Sequence, residues 1–139
     1  VEWVSVCPEV EVGLGTPREA IRLIRNRGEL NSVRLVTRQT GIDLTRRMRE
    51  YARRRVRELT KERLSGYILK KDSPTCGMER VKVWDHRGTN ESNGRGIFAA
   101  ELLRQFPTMP VEEEGRLRDP RIRENFIDRV FMYQQLRQL

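Results

Sequence analysis

The stretch DLTRRMREYARRRVRELTKERLSGYILKKDSPTCG, residues 43–77, combines a helical pattern, a short strand pattern and a polar turn. Its first part predicts a helix that begins at Asp43 or Thr45 and reaches about Leu64, because apolar residues recur there at helical spacing. That stripe consists of Leu44, Met48, Tyr51, Ala52, Val56 and Leu59. Residues 66–70 follow as a short apolar run, which is typical of a buried strand. A helix followed at once by a strand indicates an α/β fold.

Towards the N-terminus the alternation continues. Residues 2–6 and 33–37 are short runs rich in β-branched side chains, and each run predicts a strand. Between them, Thr16-Pro17-Arg18-Glu19 has three features of a helix start: a capping threonine, a proline at the first helical position and a capping-box glutamate. Apolar residues would form the buried face of that helix up to Gly28, where it would end. They are Ala20, Ile21, Leu23 and Ile24.

Towards the C-terminus we expect a short edge strand at residues 81–84, a mobile loop over residues 85–95, a helix from Gly96 to about Leu103 and a last strand at residues 109–111. Asp119-Pro120 predicts the start of a final helix. Its apolar residues are Ile122, Phe126, Val130, Tyr133 and Leu136. Strands that alternate with helices predict a single three-layer α/β sandwich with a mostly parallel sheet.

The composition limits the class of protein. The chain has 139 residues, with 28 Lys and Arg against 20 Asp and Glu, which gives a net charge of +8. That length suits one domain, and 37% hydrophobic with 35% charged residues is typical of a folded globular chain. No apolar run approaches the ~20 residues that span a bilayer, and no signal peptide is visible. Two cysteines are no disulfide framework, so we expect a cytoplasmic protein without a membrane partner.

The two cysteines fall at comparable places in the predicted sheet. Cys7 follows the strand that ends at Val6, and Cys76 follows the strand that ends near Lys70. Because ligands of parallel sheets bind beyond the carboxyl ends of the strands, both thiols are expected at one rim. The alternative is that each cysteine is a small structural hydrophobe. Neither belongs to a Cys-x-x-Cys pair, which disfavours a thioredoxin-type dithiol or a zinc ribbon.

Three segments resemble the TudS-like thiouracil desulfurase family. They are CPEVEVGLGTPR at residues 7–18, LKKDSPTCG at residues 69–77 and GRGIFA at residues 94–99, and the similarity covers nearly the whole chain in order. The resemblance implies a [4Fe-4S] cluster held by three cysteines, with one iron free of protein ligands. Cys7 and Cys76 match the second and third of these metal ligands. The first belongs to an upstream segment that residues 1–139 lack.

The resemblance also implies the reaction. It is a non-redox hydrolysis in which sulfur is removed from a thiolated nucleobase, a nucleotide or a related thio-heterocycle. Glu9 matches the family's acidic position and would orient or deprotonate water. Ser73 matches its serine and would bind the substrate or a proton-transferring water. Alternatively, Glu9 is a surface carboxylate and Ser73 is a turn residue. A further possibility is that the cluster has only a structural or sulfur-relay role, with no hydrolysis.

The basic helix carries the main alternative. Residues 43–64 hold nine Lys and Arg against four Asp and Glu, with Arg53-Arg54-Arg55 among them. Such a surface could bind RNA while the cysteines serve structure, as in a nucleic-acid-associated module. It could equally be a solvated face of ordinary ion pairs.

Two further groups of residues near the predicted rim each allow two interpretations. Lys70, Lys71 and Arg18 could hold an anion such as a nucleotide phosphate, or form salt bridges. Gly94 and Gly96 precede a helix start whose N–H groups can receive an anion, or form a flexible turn.

The C-terminal part resembles longer members of the same family, the YbgA-type proteins. The similarity lies in residues 111–131, VEEEGRLRDPRIRENFIDRVF. In those relatives a second helical domain follows. We therefore expect residues 1–139 to form one TudS-like domain without that helical domain.

Overall fold

The fold is organised around the amphipathic helix α2, Thr45–Leu59. A computed structural model describes residues 2–25 and 32–139 of the chain. The predicted apolar stripe of α2 is confirmed, since its side chains are buried in the main core. Helix α3, Ile97–Gln105, packs beside α2 and contributes the fully buried Phe98. The Phe98 ring lies 6.0 Å from that of Tyr51 and 6.3 Å from that of Tyr67, centroid to centroid.

The larger sheet begins with a hairpin where the sequence suggested a helix. Strands β1, Ile21–Arg25, and β2, Val33–Thr37, pair antiparallel with Ile21 opposite Thr37. The predicted helix from Thr16 is therefore wrong, whereas the predicted strand at residues 33–37 is confirmed. The carboxylate of Glu19 binds the distant turn after β2, accepting from the N–H groups of Gln39 at 2.5 Å and Thr40 at 2.7 Å. The predicted helix end at Gly28 lies outside the described residues.

The sheet continues through β4, Val81–Trp84, and β5, Asn90–Gly94, in the order β2-β1-β4-β5. β4 pairs parallel with β1 and antiparallel with β5, so the predicted strand is confirmed but is central rather than at an edge. The loop predicted over residues 85–95 is wrong. Asp85 instead forms a turn by accepting from the N–H groups of Arg87 and Thr89, and the chain then returns as β5. β5 has few apolar residues because it is exposed at the edge.

A second, smaller sheet joins β3, Tyr67–Leu69, in parallel with β6, Val111–Glu113. The predicted last strand is thus displaced by two residues, because the Pro110 carbonyl accepts from the Tyr67 N–H just before β6 begins. Helix α4, Pro120–Arg137, starts as predicted, with the Asp119 carboxylate accepting from the Arg121 N–H. The predicted α/β class is confirmed. Its parallel pairings are β1 with β4 and β3 with β6, and β2 and β5 are antiparallel additions at the edges.

The predicted N-terminal strand is wrong. Residues 2–7 form no regular secondary structure and pair with no strand among the described residues, and Trp3 is 77% exposed. A β-branched and aromatic composition favours a strand only where a neighbouring strand is available to pair with it. A short helix follows, α1, Pro8–Glu11. Within residues 2–25 and 32–139, none of the helices is long and apolar enough to cross a bilayer.

Candidate functional site

The loop that carries Cys76 is held rigidly by its own backbone and by Ser73. The Ser73 hydroxyl oxygen accepts from the backbone N–H of Thr75 at 3.2 Å and of Cys76 at 3.0 Å. The Ser73 carbonyl accepts from the Gly77 N–H at 2.8 Å. These bonds close a compact turn, so the sulfur of Cys76 is presented in a fixed direction.

The start of α3 anchors the same loop. Three of its backbone N–H groups donate to loop carbonyls: Gly96 to Gly77 at 2.8 Å, Ile97 to Pro74 at 3.3 Å and Ala99 to Thr75 at 3.0 Å. A Cβ at Gly96 would lie 2.3 Å from the Thr75 carbonyl oxygen, so only glycine allows this approach. The expectation that these N–H groups receive an anion is not met, because the Cys76 loop already occupies them.

The segment that carries Cys7 is attached mainly through the carboxylate of Glu11. Its Oε1 accepts from the Tyr51 hydroxyl at 2.7 Å and from Arg55 Nε at 3.0 Å, while its Oε2 accepts from the Cys7 N–H at 3.2 Å. Arg47 also donates to the Val12 carbonyl at 2.7 Å. Polar side chains of α2 therefore position Cys7, which is itself exposed.

Glu9 and Thr75 bring the two loops together. The Glu9 carboxylate accepts from Arg18 Nε at 3.1 Å and from the Thr75 hydroxyl at 3.4 Å. The Thr75 hydroxyl lies 2.9 Å from that of Ser73. Because Thr75 has one hydroxyl proton and gives it to Glu9, Ser73 donates to Thr75. A chain of hydrogen bonds thus runs from Ser73 through Thr75 to Glu9.

Of the four predicted site residues, Glu9, Ser73 and Cys76 are joined by hydrogen bonds through Thr75. The fourth, Cys7, is near enough to Cys76 to contribute to its raised pKa. Arg18, expected near the rim, is the ion-pair partner of Glu9 rather than a free anion ligand. Thr75 also joins the two loops, although it is not among the residues predicted from the sequence. It is fully buried between Ser73 and Cys76 in the chain, and no local pattern indicates its contact with Glu9.

The thiol of Cys76 is protonated at neutral pH. Its pKa is raised to about 11, chiefly because the side chain is desolvated, and the nearby Glu9 and Cys7 oppose a further negative charge. Metal binding at Cys76 would therefore displace a proton. Among the described residues, no group of three or more His, Cys, Asp and Glu side chains is arranged to hold a metal ion.

The three consecutive arginines of α2 do not form one surface. Arg55 pairs with Glu11 and Glu58, and Arg54 lies over the Tyr51 ring at 5.8 Å. Arg53 lines a separate cleft between α2 and α3. The basic run is divided between support of the Cys7 segment and a surface away from it.

Comparisons with known proteins agree with this arrangement. Residues 1–114 match the family described as 2-thiouracil desulfurase. The chain is 34% identical over 112 residues to the uncharacterized protein YbbK of Bacillus subtilis (strain 168), covering 79% of this chain and 73% of YbbK. It is also similar to the solved structure of a [4Fe-4S]-dependent thiouracil desulfidase, TudS. That match has a TM-score of 0.61 and 27% identity over 88% of this chain and 74% of the other.

Proposed function

Because the chain belongs to the 2-thiouracil desulfurase family, we propose that it removes sulfur from a thiolated nucleobase or a related thio-heterocycle by non-redox hydrolysis. The C=S bond is replaced by C=O, and water supplies the oxygen. The sulfur leaves as hydrogen sulfide, which carries the two protons of that water. The observation that carries the proposal is the hydrogen-bonded chain from Ser73 through Thr75 to Glu9, in which the Thr75 hydroxyl lies 3.7 Å from the Cys76 sulfur.

The cofactor is an iron–sulfur cluster, the group on which the similar desulfidase depends. Cysteine thiolates are the usual ligands of such clusters, and Cys7 and Cys76 fit two of them by residue type and by their common location. We place the remaining protein ligand outside residues 1–139, because these two are the only cysteines in the sequence. When bound, the cluster would supply a Lewis-acidic iron that attracts the thiocarbonyl sulfur.

Glu9 is the general base in this proposal. Arg18 donates to one of its oxygens and Thr75 to the other, so the carboxylate is held in one orientation at the junction of the two loops. A carboxylate fixed in this way can bind the attacking water and take its proton. Arg18 is a positioning residue, since it contacts Glu9 and not the water.

Ser73 and Thr75 connect Glu9 to the Cys76 loop. The Ser73 hydroxyl accepts hydrogen bonds from two backbone N–H groups and donates its own proton to the Thr75 hydroxyl. Thr75 in turn donates to the Glu9 carboxylate. These hydrogen bonds hold the Glu9 carboxylate at the Cys76 loop, and Glu9 itself can return the proton taken from water to the departing sulfur. We assign Ser73 as the second catalytic residue because it matches the serine of the family, and Thr75 positions both.

The test is sulfide release from 2-thiouracil by the natural-length protein, reconstituted without oxygen, in which Glu9→Gln is compared with the wild type. General-base catalysis typically contributes 10²–10⁴-fold, so we expect kcat to fall by about 100-fold or more while the iron content is unchanged. Uracil formed in equal amount to sulfide, without an added reductant, would support non-redox hydrolysis.

Glu2→Gln is the matched control, because Glu2 is an exposed carboxylate of the same N-terminal segment. It should leave kcat unchanged. An iron-loaded Glu9→Gln variant with the wild-type rate would remove Glu9 from the mechanism and favour a structural or sulfur-relay cluster. Thr75→Ala should lower the rate about tenfold, and Thr75→Ser should restore it.

A further inference from the structure

An arginine-rich cleft lies outside the cysteine site. It encloses about 260 Å³ between α2, α3 and the first hairpin. Among the residues that the structure describes, the cleft is lined by four basic residues and one acidic residue, namely Arg49, Arg53, Arg95, Arg104 and Glu101. The floor is apolar, formed by residues such as Leu23, Val33 and Ile97. The described lining of the cleft therefore carries three net positive charges above a hydrophobic base.

The cleft's positive charge is only partly neutralised. Arg104 donates to both oxygens of Glu101, at 2.7 and 3.2 Å, so this pair largely neutralises itself. Arg95 donates a hydrogen bond from Nε to the Met78 carbonyl, which leaves its two terminal amino groups for a ligand. Within the part of the chain that the structure describes, Arg49 makes no hydrogen bond or ion pair. The guanidinium groups of Arg49 and Arg95 are thus available to a ligand, while Arg53 lies close enough to Glu101 to help lower the pKa of that carboxyl.

Two of the cleft arginines lie on a different flank of α2 from the side chains that hold the Cys7 segment. Arg49 and Arg53 are four residues apart and so lie on one flank of α2. Tyr51 and Arg55, which contact Glu11, lie on another flank and face the Cys7 segment. Substitution in the cleft can therefore be made without touching the residues that hold Cys7.

We propose that this cleft binds phosphate groups, carried by a nucleotide or by an RNA strand. Guanidinium groups bind phosphate oxygens with paired N–H donors, and several converging arginines favour a multiply charged anion over a single carboxylate. The net charge of +8 increases the attraction at a distance. A flat base or ribose could rest against the apolar floor.

The test is binding of a fluorescent oligo(U) RNA and of pyrophosphate to the metal-free chain at low salt. In the double variant Arg49→Ala/Arg53→Ala we expect affinity to fall at least tenfold. For RNA, the slope of log K against log salt should become shallower by about 1.4, since each single-strand phosphate contact contributes roughly 0.7. Glu101→Gln should raise affinity, because it removes the negative charge that pairs with Arg104 in the cleft.

The matched control is Arg46→Ala/Arg57→Ala, which removes two charges from α2 outside the cleft. It should weaken binding less than threefold. RNA that binds much more tightly than pyrophosphate would identify a strand, and comparable affinities would identify a nucleotide. Equal losses in the two double variants, or no binding of either probe, would overturn the proposal. Neither iron nor turnover enters this test, so its failure would leave the desulfurase proposal standing.

Discussion

The two cysteine loops are held by different forces. The Cys76 loop is fixed by backbone hydrogen bonds from α3 and by the close approach of Gly96, deep against the core. The Cys7 segment has no strand partner among the described residues and is held through Glu11, whose partners Tyr51 and Arg55 extend from α2. One thiol is therefore positioned by packing and the other by charged and polar side chains. Substitutions in the core should therefore displace Cys76, and substitutions of surface charges should displace Cys7.

The largest effect on this difference is expected from Gly96→Ala. The new Cβ would lie 2.3 Å from the Thr75 carbonyl oxygen and 2.7 Å from the Cys76 nitrogen. Overpacking of this kind costs about 3 kcal/mol in the free energy of unfolding, measured by urea denaturation. Gly115→Ala is the control, because its Cβ would meet only Lys71 at 3.5 Å, and it should change stability by less than about 0.5 kcal/mol. Equal effects of the two variants would mean that the Cys76 loop is not packed as described.

A second test compares the thiols directly by alkylation with iodoacetamide, followed by mass spectrometry of the metal-free protein. Burial raises the pKa of Cys76 to about 11, so its thiolate fraction at pH 8 is about 100-fold below that of an ordinary thiol. We expect the exposed Cys7 to react first. Labelling of Cys76 should rise about tenfold per pH unit up to its pKa, and in denaturant the two rates should converge. Equal alkylation rates of Cys7 and Cys76 in the folded protein would contradict the proposed difference in their burial.

The smallest effect is expected from Glu11→Gln. The amide cannot accept all three hydrogen bonds from Tyr51, Arg55 and Cys7. Loss of these partly exposed bonds should cost about 1 kcal/mol and should speed the alkylation of Cys7 while that of Cys76 stays constant. Glu58→Gln removes the other, more exposed partner of Arg55 and should cost less than about 0.5 kcal/mol. Faster alkylation of Cys76 in the Glu11→Gln variant would show that the two cysteine loops do not move independently.

Predictions from the sequence succeeded where the structure depends on neighbouring residues. The stripe of α2 and the Asp119 start of α4 are local patterns, and both are confirmed. The run after Thr16 failed because its capping features are local, whereas Glu19 binds a turn about 20 residues away and β1 pairs with β2. Pairing between distant strands overrode the helical signal.

The motifs named residues that lie close together, whereas the expected sheet edge did not describe how they meet. Cys7 was expected at the end of a strand, yet it follows a segment without regular structure, and that segment meets the Cys76 loop through Glu9 and Thr75. No local pattern indicates that Thr75 is buried between Ser73 and Glu9. Its role follows only from contacts between segments about 66 residues apart.

The most direct test of the two-loop site is the iron and acid-labile sulfide content of the natural-length protein, reconstituted without oxygen, as wild type, Cys7→Ser and Cys76→Ser. We expect about four iron and four sulfide atoms per wild-type chain and a substantial loss of both in each variant, because we propose that each thiolate is a ligand of the same cluster. Ser5→Ala, an exposed change two residues from Cys7, should bind as the wild type does. Full iron and sulfide in either cysteine variant would contradict the assignment of that cysteine and of the joint site.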